Sequence, residues 1–163
     1  MQALLREARE TAELLKAAEL DDYFQDDCVN LLKSKIKKVE AISPMAAVIY
    51  IVALPARTEL LVSLPSGRLE RFTVDLPEEK LTETVRLFRL NLEDRSTESF
   101  LEQAQQLYAW LIKPLEPLMT KAQLDTMVFV PDGALRTVPM AALHDGEKFS
   151  LRSTPWPSPR GSR

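Results

Sequence analysis

A single cysteine, Cys28, in 163 residues leaves no second thiol to pair with. An internal disulfide framework is therefore excluded, which agrees with a reducing compartment. Histidine is as scarce, with His144 alone. Long apolar runs are missing too. The longest, Ala46 to Leu54, falls well short of the roughly 18 residues a membrane span needs. The N-terminus lacks a basic segment leading into an apolar core and reads instead as a charged amphipathic helix. Nothing in it directs export, so a cytoplasmic location is expected. A net charge of -3 is too mild to announce a strongly acidic or basic partner, and neither nucleic acid nor a membrane is expected to bind. What remains is 45% hydrophobic and 28% charged, the composition of a globular chain long enough for one ordinary domain.

Along the chain, residues 1–41 read as a helical segment, which could close a repeat array begun upstream. Within it Leu4, Ala8, Thr11, Leu15 and Ala18 fall on one helical stripe. A second helical stretch follows, with Leu31, Leu32, Ile36 and Val39 apolar and Lys33, Lys35, Lys37 and Lys38 exposed. Ser43-Pro44 ends it, because the residue before a proline is pushed out of the helical region. Residues 42–149 then change character. Ala46 to Leu54 is an apolar run rich in β-branched residues, as in a strand buried on both faces. Glu59 to Leu64 is a second strand, and Leu69 to Leu76 alternates as a half-exposed third. Short turns at Pro55-Ala56-Arg57 and Pro65-Ser66-Gly67 make the three an antiparallel meander. Leu81, Val85, Phe88 and Leu92 mark one helix. Phe100, Ala104, Leu107, Tyr108, Leu111 and Ile112 mark the next, which Pro114 must kink or end. Thr126 to Val130 returns to a strand, and Pro131-Asp132-Gly133 turns the chain. Residues 150–163 hold three prolines and no apolar period, so they are expected to be disordered.

One stretch is specific: Val128-Phe129-Val130-Pro131-Asp132-Gly133-Ala134-Leu135-Arg136-Thr137-Val138-Pro139-Met140-Ala141-Ala142-Leu143-His144-Asp145-Gly146. An apolar strand, Pro-Asp-Gly, a Leu two residues on, then Pro and an Ala-Leu pair before a turn resembles the N-terminal part of the CHAT domain, a caspase-like module associated with tetratricopeptide repeats. Leu107-Tyr108, Leu111 to Leu115 and the Tyr50 to Leu64 hairpin add to the likeness, which covers about Asp21 to Phe149. The resemblance implies an α/β fold, part of a caspase-like three-layer sandwich carrying an N-terminal meander and a helical extension. It also implies a family of cysteine peptidases whose His and Cys lie downstream of Pro-Asp-Gly, in motifs this chain does not contain. Proteolysis by the chain alone is accordingly not expected. The expected alternative is a repeat-associated interaction module that binds without cleaving. Codons that spell Phe149 to Arg163 can, in the neighbouring frame, spell the amphipathic strand the family has here, so a single-base frameshift is the expected origin of the tail.

Each candidate for chemistry has a plainer reading. His144 could be a general base, but it precedes the turn signal Asp145-Gly146 and does not fall on the family's His-Gly motif. Cys28 could be a nucleophile, but it lies about twenty residues before the sheet, and Asp26 and Asp27 beside it would raise its pKa. Asp21, Asp22, Asp26 and Asp27 lack the ligand spacing and central Gly of a calcium loop. Lys33, Lys35, Lys37 and Lys38 have no aromatics interleaved with them and read as a solvated helix face. Asp132 and Arg136 flank a turn after a strand, where α/β folds often place functional groups, but capping that turn is reason enough for both. No catalytic, cofactor-binding or metal residue is assigned, and no cofactor is expected. Protein partners are expected, as is self-association through a sheet left incomplete.

Overall fold

The structure, a computed structural model, describes residues 1–24, 43–94 and 98–150. The expected second helix around Leu31 to Val39, and the tail beyond Ser150, lie outside the described residues. Among the described residues, four strands form one mixed sheet in the order β3-β2-β1-β4. They are β1 (Ala46–Ala53), β2 (Thr58–Ser63), β3 (Leu69–Val74) and β4 (Thr126–Val130). β1 pairs antiparallel with β2, from Val48 opposite Ser63 to Ala53 opposite Thr58. β2 pairs antiparallel with β3, which completes the expected meander. β4 returns parallel to β1, Ala46 opposite Thr126 and Tyr50 opposite Val130. Parallel pairing requires a long crossover, and the helices α2 (Glu78–Glu93), α3 (Phe100–Leu111) and α4 (Glu116–Lys121) supply it.

The tight turns follow from residue chemistry. Leu54 and Arg57 exchange backbone hydrogen bonds of 2.8 and 3.3 Å across the first. In the second, the Gly67 N–H donates to the Leu64 carbonyl at 2.9 Å with φ at +76°, a conformation glycine adopts without steric cost. β3 ends at Val74 rather than Leu76, because the Leu76 N–H turns back onto the Val74 carbonyl at 2.8 Å.

One face of the sheet carries the main core. Ala47, Ile49 and Ile51 of β1 and Leu60 and Val62 of β2 pack beneath Leu81, Val85 and Phe88 of α2 and Ala104, Leu107 and Leu111 of α3. These are the inward residues expected from the helical spacing, while Leu92, Phe100 and Tyr108 are only partly buried beside them. Pro114 lies in a short 3-10 helix, Lys113–Leu115, that redirects α3 into α4.

The other face is covered by α1 (Gln2–Phe24), but the apolar stripe picked out by the helical spacing is not the side that meets the sheet. Leu4, Ala8, Thr11, Leu15 and Ala18 all point to solvent, with Leu4 69% and Leu15 53% exposed. The side that meets the sheet holds Leu5 and Ala12 over Val48, Tyr50 and Leu61, together with four long polar residues. Gln2 donates to the Leu69 carbonyl at 2.8 Å, Arg9 to Ser63 Oγ at 3.5 Å, and Lys16 to Asp132 at 2.8 Å. Glu13 accepts from the Tyr50 hydroxyl at 2.7 Å. Read in order, these contacts carry α1 across β3, β2 and β1 to the end of β4. The cause is the sheet face itself, which presents Ser63, the Tyr50 hydroxyl and a backbone edge. Long polar side chains can satisfy these groups while their aliphatic stems lie on the apolar residues.

Candidate functional site

Ligands in α/β folds gather at the carboxyl ends of parallel strands, which here means the end of β1 and β4 with the Pro131-Asp132-Gly133 turn. Gly133 has φ at +51°, a left-handed conformation that glycine adopts without steric cost. Asp132 caps the 3-10 helix Gly133–Thr137, its Oδ1 accepting from the Gly133 N–H at 2.8 Å. The same oxygen is 2.8 Å from Lys16 Nζ and 3.4 Å from the Arg136 guanidinium. The hydrogen bond from Lys16 lowers the Asp132 pKa, and the Gly133 N–H and Arg136 add to this against a smaller opposing effect of burial. An ionised carboxylate shared by two cations and a backbone donor is a structural anchor with little capacity left to take a proton. The cleft beside it, between Ala53, Glu78, Thr82 and Ala134, holds only about 50 Å³.

His144 sits where the sequence places it, at the start of a turn. Its Nδ1 accepts from the Gly146 N–H at 3.0 Å, and its ring meets Phe149 edge-on at 4.8 Å. Gly146 has φ at +109°. Asp145 closes the turn by accepting from the N–H groups of Glu147 and Lys148 at 2.7 and 2.6 Å, contacts that lower its pKa. The imidazole is thus used to order its own loop. Ser150, assigned to the tail by composition, is tied to that loop through its N–H, which reaches the Leu143 carbonyl at 2.8 Å. Cys28, Asp26, Asp27 and the four lysines lie outside the described residues, as do the side chains of Asp21 and Asp22. Among the described residues no group of three or more His, Cys, Asp or Glu could hold a metal ion, and no helix is long and apolar enough to cross a membrane.

Two polar centres escaped the sequence reading. Glu59 is 9% exposed on β2 and accepts from Arg57 Nε at 2.6 Å and from the Thr73 hydroxyl at 2.7 Å, with Arg71 Nε 3.9 Å away. Burial pushes its pKa up, but Arg57, Thr73 and Arg71 outweigh burial and leave it below the ordinary value. The signal was available: Glu59 stands directly before the apolar Leu60-Leu61-Val62 of β2, and Thr73 is its cross-strand partner. Tyr108 donates to Glu116 at 2.6 Å. Burial, then the Glu116 carboxylate and then Asp145 push its hydroxyl well above the ordinary phenol range, so it stays protonated and pins α3 to α4. Both are structural ties within the sheet and the crossover.

Residues 101–160 match the family model of the CHAT domain. That span begins at the start of α3, takes in β4 and the Pro131-Asp132-Gly133 turn, and runs beyond Phe149 into the tail. No curated protein and no solved structure gives a significant match.

Proposed function

We propose, from the CHAT match as premise, that this chain forms the N-terminal part of a caspase-like sheet and does not itself cleave peptide bonds. A His–Cys dyad made from its own residues could only join His144 to Cys28, since it has one of each. The observation that carries the reading is His144. Its Nδ1 lone pair accepts from the Gly146 N–H, which sets the neutral ring's proton on Nε2, whereas a base that activates a thiol needs a ring nitrogen open to accept the thiol proton. Support for a caspase-like layering comes from the helices on both faces of a mixed sheet and from the parallel return of β4 to β1. The test is incubation with peptides offering Arg, Lys and Asp at the cleaved position. No turnover is expected. Cleavage lost in both Cys28→Ser and His144→Ala would overturn the proposal.

A second reading, an interaction module joined to helical repeats, is favoured by α1. One of its sides lies on the sheet and another, apolar and exposed, is left over. A helix packed between two layers has this form.

A further inference from the structure

The two edges of the sheet differ in kind. β3, at one edge, carries Glu70 and Arg71, and Arg68 pairs with Glu70 at 2.7 Å. Charges of this sort blunt an edge against pairing with another chain. β4, at the other edge, reads Thr126-Met127-Val128-Phe129-Val130 and has none. Met127 and Phe129 pack toward the main core while Val128 and Val130 pack toward the α1 side. A strand that is apolar on both faces has the make-up of an interior strand. Yet it has β1 on one side only, and among the described residues no strand lies along the other.

We propose that the outer edge of β4 is a strand-docking edge and that its occupant is β4 of a second copy of this chain, running antiparallel about a two-fold axis at Val128. The strand is self-complementary in that register. Val128 opposes its own copy, Met127 opposes Phe129 of the second copy, and Thr126 opposes its Val130, so each face meets residues of its own character. The flanking acids do not collide, since Asp125 falls opposite Pro131 and Asp132 opposite Leu124. The rest of the chain is poorly composed to fill the place. Residues 151–163 contain Pro155, Pro157 and Pro159, which cannot donate to a ladder, and residues 25–42 contain Lys33, Lys35 and Lys37, which would fall on one face of a strand.

The test is sedimentation equilibrium of the full chain over a dilution series, alongside Thr126→Lys and Leu15→Glu. Thr126 is exposed, so the lysine should leave the fold intact, as far-ultraviolet circular dichroism would verify, while placing a charge in the pairing edge twice per dimer. The expected result is reversible doubling of the mass, abolished by Thr126→Lys and kept by Leu15→Glu. Amide exchange in β4 should slow as concentration rises. A monomer at every concentration would overturn the proposal. So would a dimer that survives Thr126→Lys, or one dissolved by Leu15→Glu, which would place the interface on the outward side of α1.

Discussion

Asp132 shows how one side chain can serve position rather than chemistry. It caps a 3-10 helix, and through Lys16 it ties the crossing helix α1 to the end of β4. The pair is partly exposed, so the charge itself contributes little, and the cap is expected to dominate. Asp132→Asn, which keeps an acceptor for the Gly133 N–H, should lose only a few tenths of a kcal/mol, and Asp132→Ala about 1 kcal/mol, by urea denaturation. Equal losses would mean that the charge matters more than the cap. The pH dependence follows from the same groups. Glu59 and Asp132 both have pKa values lowered in the folded chain, so the stability they contribute is present above the unfolded carboxylate values. It is lost as pH falls through the folded ones. Melting temperature should therefore hold down to roughly pH 4.5 and decline below it; a decline that begins near neutrality would point to another group.

Among the elements, those whose pattern is set by burial could be read from sequence. β1 is apolar throughout because it is flanked on both sides and covered on both faces, and α2 presents Leu81, Val85 and Phe88 because a single core lies beneath it. The Pro131-Asp132-Gly133 turn was readable because proline and glycine punctuate it and its left-handed φ favours glycine. The side of α1 was not readable. Hydrophobic periodicity reports where the apolar stripe is and assumes that it faces inward, whereas here the sheet offers polar groups and draws Gln2, Arg9, Glu13 and Lys16 to it. Glu59 was missed for a related reason, since its burial depends on Arg57, Thr73 and Arg71 converging from neighbouring positions. If α1 lies as described, Leu15→Glu should change stability by no more than about 0.5 kcal/mol, the range of exposed positions. Arg9→Ala, at a residue 8% exposed, should cost more than about 1 kcal/mol, because it removes packing and a partner of buried Ser63. The opposite order would restore the apolar stripe to the core.

For the molecule as a whole, the described residues form a meander, a helical crossover and a parallel return, and the CHAT match starts in the crossover. We propose that its one thiol and its one imidazole do not work together. The pH dependence of Cys28 alkylation tests this most directly, because only the thiolate reacts. The rate of reaction with iodoacetamide in the full chain should rise with an apparent pKa at or above the ordinary thiol value of about 8.5, and the profile should be the same in His144→Ala. A thiolate already formed near neutrality, and abolished by His144→Ala, would contradict the account.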